Sequence, residues 1–205
     1  MTTTPESPPS TPSGADQRRN EIVASAARLF DEFGYGNTSM QQIAIAAQMA
    51  KPTLYHYFSA KDAILFQVHE EFIDILIRQF RGRALRSTGL RDRLVGAMTD
   101  ILTLMDTHRG HVRVFFEHHR ELPAEQQRLI RAKRDEYEAM LVGVLEDGRA
   151  RGELILDQPR LTALGIFGMC NWAYQWYSRD GALAPAEIAE RFGSVVLDGL
   201  SPRGD

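Results

Sequence analysis

The sequence predicts an all-α protein in which an N-terminal three-helix unit containing a helix-turn-helix precedes a larger helical domain. Three observations carry that expectation. From Asp16 onward apolar residues recur at helical spacing along nearly the whole chain; no stretch alternates apolar and polar residues as a half-buried strand would; and the apolar stripes are separated by glycine, proline and capping residues.

The elements follow in order. Residues 1–15 are almost all Thr, Ser and Pro and predict a disordered tail, which without Lys or Arg is a poor phosphate-tracking arm. Ile22, Ala26, Leu29, Phe30 and Phe33 mark one face of a first helix that should stop at Gly34. Thr38 followed by Gln41 reads as a capping box for a short second helix carrying Ile43, Ala44 and Ala47. A turn at 47–49 leads to a third short helix, and Ser59 is a suitable cap for a long fourth one with Leu65, Val68, Phe72, Ile75, Leu76 and Phe80 on its apolar positions. Further helices are expected at 90–105, 111–120, 124–151, 160–177 and 185–200, with Pro123 and Gly152 as breaks.

At 205 residues the chain can form one large or two small domains. No apolar run approaches the ~20 residues of a bilayer helix. A net charge of -3 gives no whole-chain attraction to a polyanion, so any nucleic-acid surface must be local. The single cysteine, Cys170, excludes an intrachain disulfide and reads as a small buried residue. With neither a basic n-region nor an apolar h-region at the N-terminus, the expected location is cytoplasmic.

The stretch KPTLYHYF, 51–58, carries the functional signal. Ile43, Ala44, Ala47, Met49, Leu54 and Phe58 are the residues by which a helix-turn-helix would pack on the first helix. That leaves Lys51, Thr53, part of Tyr55, His56 and Tyr57 pointing outward. A lysine neutralises phosphate, Thr and Tyr hydroxyls donate to phosphates or base edges, and the first turns of such a helix enter the major groove. The free N–H groups at the helix starts near Ser39 and Lys51 add partial positive charge.

Over residues 22–66 the string AARLFDEFGYGNTSMQQIAIAAQMAKPTLYHYFSAKDAIL, with its Gly34-Tyr35 turn, TLYHYF core and Lys61, resembles the N-terminal pattern of the tetracycline-repressor (TetR) family of bacterial transcription regulators. The resemblance implies contacts to double-stranded DNA from Ser39, Gln41, Lys51, Pro52, Thr53, Tyr55, His56, Tyr57 and Lys61. It divides the chain into a DNA-binding domain at 16–61 and a ligand-binding and dimerisation domain at 62–205. Three features depart from the family pattern. Gln48 stands where the family usually has Gly, and a positive φ there costs roughly 1 kcal/mol. Ala50 replaces the usual Ser cap, at about 0.5–2 kcal/mol. The segment from Asp16 to Phe66 also balances its basic residues with acidic ones. Modest binding per monomer is expected, with a dimer spanning a palindromic operator.

The resemblance further implies a homodimer formed by the last two helices as a four-helix bundle. In agreement, Leu161, Leu164, Gly165, Gly168 and Trp172 lie on or near one face of the expected 160–177 helix, and Ile188, Phe192, Val195, Val196 and Leu200 form a stripe on the last. Phe115, Phe116, His119, Tyr137, Met140, Met169, Trp172 and Trp176 are candidates to line an effector cavity, each with plain core or dimer packing as the alternative. The C-terminal half is similar to TetR-type regulators of lipid and acyl-CoA catabolism, which implies a large, mostly apolar effector. Arg113 or Arg120 would meet the phosphates of a CoA thioester, or else stand solvated on a helix face.

His108, His111, His118 and His119, with Glu117, invite a metal reading, but the two histidine pairs stand about two turns apart and no further ligand cluster completes them. No metal or cofactor is expected. Without a nucleophile constellation, P-loop or dinucleotide fingerprint, an enzyme is not expected either; a thioester-processing site on Glu117, His118 and His119 is the weaker alternative. A further alternative keeps the helical ligand-binding module and makes the DNA reader degenerate. The main expectation is a ligand-responsive regulator, a repressor released by its effector.

Overall fold

The computed structural model describes residues 14–86 and 89–200. Among them are nine α-helices, two short 3₁₀ turns and no strand. The tail expected at 1–15 lies outside the described residues up to 13, but its end does not fit: α1 (Gly14–Phe33) already includes Ala15.

α1 buries Ile22, Val23, Ala26, Ala27 and Phe30 and stops where Gly34 takes φ +80. Phe33, expected on the buried face, is the last residue of the helix and is 48% exposed. The capping box of α2 (Met40–Ala46) lies one residue later than expected: Ser39 and Gln42 close it, with Ser39 N donating to Gln42 Oε1 at 2.8 Å. Thr38 is not free to cap, since its buried hydroxyl donates to the carbonyls of Gly34 at 2.9 Å and Leu29 at 3.3 Å, tying the turn to the end of α1.

After the turn, α3 (Lys51–Tyr57) starts from Ala50 without a side-chain cap, and Gln48 holds φ 53. Both departures from the usual pattern are therefore real local costs. In α4 (Lys61–Ala84) the N-cap position is taken by Ala60, not Ser59, and no side chain caps it; in the first turn Asp62 Oδ1 accepts from Ala63 N at 2.8 Å.

α4 is the spine shared by both halves. Ile64, Leu65 and Val68 are buried near α1, while Phe72, Leu76 and Phe80 are buried further along. α5 (Leu90–Thr107) is enclosed by α4, α7, α8 and α9, with Leu94, Met98, Ile101, Leu102 and Leu104 almost completely buried. α6 (Arg109–Glu117) starts two residues before the expected 111 and lies across α1, after which His119–Glu121 forms a 3₁₀ turn. α7 (Ala124–Ala150) ends near Gly152, at φ +73, and is clamped to α4 by Lys133, whose ammonium lies 2.8 Å from both Glu70 and Asp74.

The single helix expected at 160–177 is broken. α8 (Pro159–Asn171) gives way to a 3₁₀ turn, Trp172–Gln175, and that tighter turn buries Ala173 while Tyr174 stacks on Phe116 at 5.2 Å between centroids. α9 (Pro185–Leu200) packs on α5 through Ile188, Ala189, Gly193 and Leu197. Gly193 is required there, because a Cβ would collide with the Val95 side chain. No described helix is long and apolar enough to cross a membrane.

Candidate DNA-reading face and effector cavity

α2 and α3 are too short to persist alone, so their orientation depends on what they bury. Ile43, Ala44, Ala47, Leu54 and Phe58 are buried, with α2 packed on α1 and α3 on α2, which leaves the other sides of the two helices outward. Ser39, Gln41, Lys51, Pro52, Thr53, Tyr55 and His56, seven of the nine residues expected to meet DNA, are all exposed.

The other two are held differently. Tyr57 is half-buried with its ring against the core, and its carbonyl accepts from Arg19 Nη1 at 3.0 Å. Lys61 is drawn inward: its ammonium donates to the carbonyls of Tyr35 at 2.7 Å and Thr38 at 2.8 Å and lies 4.2 Å above the Tyr35 ring. Its charge thus fastens the α1–α2 turn to the start of α4.

Two arginines supply what the local sequence lacks. Arg18 Nη2 donates to the carbonyl of the strained Gln48 at 3.2 Å, and Arg19 lies 4.2 Å over the Phe58 ring while also reaching Gln67. Neither was among the expected site residues. Their reach to carbonyls 30 and 38 residues away is decided only by the fold.

In the C-terminal half a cavity of about 600 Å³ opens between α4, α6, α7 and α8. Phe72, Ile73 and Leu76 of α4 form one wall with Ile101 of α5, and Phe115, Phe116 and His119 form another. α7 contributes Arg131, Arg134, Asp135, Tyr137 and Glu138, and α8 contributes Leu164, Phe167, Gly168 and Asn171. Four of the eight expected lining residues are therefore in place: Phe115, Phe116, His119 and Tyr137.

The other four are not. Trp172 and Trp176 are 63% and 48% exposed, because the helix tightens just before Trp172 and turns both indoles out. Met140 and Met169 pack on the core away from the cavity walls, their positions lying a fraction of a turn off the lining face. Phe72, Leu76 and Phe167 were missed as lining residues because a core stripe and a cavity wall have the same helical period.

Arg113 also lies elsewhere. Its guanidinium is paired with Asp31 of α1 at 3.0 Å and with Glu117 at 3.6 Å, so it couples α6 to α1 rather than facing the cavity. Arg120 is exposed in the 3₁₀ turn, outside the cavity lining.

The histidines disperse. His111 Nε2 lies 3.4 Å from Glu71, His118 Nδ1 lies 3.4 Å from Glu121, and His119 faces the cavity. No group of three His, Cys, Asp or Glu among the described residues is placed to hold a metal ion. His69, behind the cavity wall, is fully buried, and its Nδ1 is 2.9 Å from the Leu65 carbonyl. Burial holds its pKa down to about 4, so the ring is neutral at neutral pH. Burial likewise pushes the Cys170 thiol up to about 12, leaving it an unreactive core residue.

Several apolar side chains on and next to α8 and α9 are exposed in the single chain. Leu161, Leu164 and Trp172 are 61%, 46% and 63% exposed, and Val195 of α9 is 68% exposed. Beside them Gly165, Gly168 and Gly199 leave open space where a Cβ would stand.

Two family models match this chain. "Bacterial regulatory proteins, tetR family" covers residues 22–68, and "Tetracyclin repressor-like, C-terminal domain" covers residues 87–200. The chain belongs to the TetR family. As a TetR-family protein it is a DNA-binding transcriptional regulator and not an enzyme. It is 28% identical over 191 residues to the transcriptional repressor KstR2 of Rhodococcus jostii, covering 92% of this chain and 94% of that one. Among solved structures it is similar to the TetR-family regulator PfmR of Thermus thermophilus, with a TM-score of 0.81 at 26% identity, over 88% of this chain and 99% of that one. It is also similar to AibR in complex with isovaleryl coenzyme A and operator DNA, with a TM-score of 0.78 at 28% identity, over 87% of this chain and 97% of AibR.

Proposed function

We propose that this TetR-family regulator is a cytoplasmic, homodimeric repressor that leaves a palindromic operator when a large, mostly apolar effector such as an acyl-CoA or another lipid-derived metabolite enters the C-terminal cavity. The observation that carries this reading is the shared use of two helices. α4 packs on the DNA-reading unit at one end and walls the cavity with Phe72, Ile73 and Leu76 further along. α6 lies across α1 and presents Phe115 and Phe116 to the cavity. A molecule seated there shifts helices that also set the orientation of α3, and the only energetic requirement is a difference in affinity between two arrangements.

In this reading residues 16–61 form the DNA-binding domain and 62–205 the effector and dimerisation domain. Ser39, Gln41, Lys51, Pro52, Thr53, Tyr55 and His56 contact the duplex, Tyr57 contributes its hydroxyl edge, and Lys61 acts by holding the turn. The uncovered face of α8 and α9 is the dimer interface, which places two copies of α3 at successive major-groove positions. Similar proteins support both parts: KstR2 is a repressor, and AibR was captured with a coenzyme A thioester and its operator.

A footprint of the purified protein on the DNA upstream of its own gene tests the reading, repeated with Lys51→Ala and with Tyr55→Ala. The expected result is a protected palindrome that both substitutions weaken, with an affinity that falls as salt rises. A wild-type protein that protects no sequence, or protects the same one equally well after both changes, would overturn it.

A further inference from the structure

The cavity in which the proposed effector sits is apolar inside and cationic at its mouth. Phe72, Phe115, Phe116 and Phe167 are among the residues that line the interior. On the rim, one turn of α7 carries Arg131 and Arg134 at i and i+3, both exposed and both part of the cavity lining. Neither forms an ion pair among the described residues; Arg134 instead lies 5.6 Å from the centroid of the Phe115 ring. The nearby acid Glu138 is already occupied by Arg160 of α8, at 2.5 Å, which leaves Asp135 as the one rim carboxylate against two free guanidinium groups. The resulting positive potential acts on His119, whose pKa is lowered first by burial and then by the charges of Arg134 and Arg131.

Two unpaired arginines at the edge of an aromatic cavity are an arrangement for a molecule with an apolar body and an anionic end. The volume, about 600 Å³, suits a drug-sized apolar group and leaves a bulky charged headgroup outside, on the rim. Resting on the reading of this cavity as the effector site, we infer that Arg131 and Arg134 are the specificity-determining residues for an anionic amphiphile, whose phosphate or carboxylate they hold while its apolar part fills the cavity. Phosphates of a CoA thioester and the carboxylate of a free acid share this chemistry.

The experiment uses a chain-matched set of probes: decanoyl-CoA, decanoate and decanol. Binding to the full-length protein is measured by calorimetry at low and high salt. The proteins are wild type, the double variant Arg131→Gln/Arg134→Gln, and a control, Arg128→Gln, one turn earlier on α7 and outside the cavity. The melting temperature of each free protein establishes that it is folded. The expected result is that at least one anionic probe binds wild type and the control about tenfold or more tighter than it binds the double variant, with the gap narrowing at high salt, while decanol does not distinguish the proteins. Dependence for decanoyl-CoA alone identifies phosphates as the recognised group, and dependence for decanoate identifies the carboxylate. Equal anion affinity in wild type and double variant, decanol binding as tightly as the anions, or no binding by any probe overturns the inference. Operator occupancy is read in parallel: an anion that binds through the arginines yet leaves the operator occupied removes the release mechanism while this assignment stands.

Discussion

At the residue scale, the reader is strained at Gln48 and uncapped at Ala50. Ala50 already has the extended conformation of a cap, φ -71 and ψ 144, so Ala50→Ser needs no backbone change. Pro52 has no N–H, which directs the new hydroxyl to the N–H of Thr53. The expected gain is about 1 kcal/mol, seen as a rise in melting temperature. Unchanged or lower stability would show that the start of α3 is held by something other than its own cap. His69 gives a prediction of opposite sign. Its folded pKa of about 4 lies below the ordinary 6.5, so the unfolded chain binds more protons between those values. Stability is therefore full above about pH 6.5 and is lost as pH falls toward 4, by roughly 3 kcal/mol. Protonation would place a second N–H on Nε2, which has no hydrogen-bond partner. Denaturant melts across this range should show a slope that flattens in His69→Gln.

At the element scale, α6 is the most constrained connection between the two halves. Gly110 brings it so close to α1 that a Cβ would stand 3.1 Å from the Ala27 carbonyl oxygen, and Arg113 reaches Asp31 on the same side. Gly110→Val forces the helices apart and should destabilise the protein by about 1–3 kcal/mol, measured by chemical denaturation. A neutral effect would mean that α6 is free to slide on α1. The adjoining 3₁₀ turns are equally consequential: the tightening at Trp172 sets Tyr174 on Phe116 and turns both tryptophans away from the cavity.

At the scale of the whole molecule, assembly through the exposed apolar residues of α8 and α9 is open to test. Leu161→Glu with Val195→Glu puts like charges on an apolar surface that the single chain leaves open, so the isolated fold should tolerate them. If that face is the dimer interface, sedimentation should show a monomer with near-normal helicity, and operator affinity should drop by orders of magnitude because one half-site remains. A variant that stays dimeric would move the interface elsewhere.

The helical class, the approximate place of most helices and most of the exposed residues of α3 were legible along the chain, because helical period, glycine stops and proline breaks are local signals; Tyr57, expected outward, is half-buried. The stops at Gly34 and Gly152 and the costs at Gln48 and Ala50 could be read for that reason. Packing settled whatever depended on which side of a helix found a partner. Thr38 gave up its cap to reach Gly34 and Leu29, Lys61 turned inward to two carbonyls, and Arg113 met Asp31 instead of the cavity. Arg131 and Arg134 became the cavity mouth only once α7 was laid against α4 and α8. A helical period places residues on a common face, but core, cavity wall and open interface all want the same apolar stripe, and only the assembled fold tells them apart.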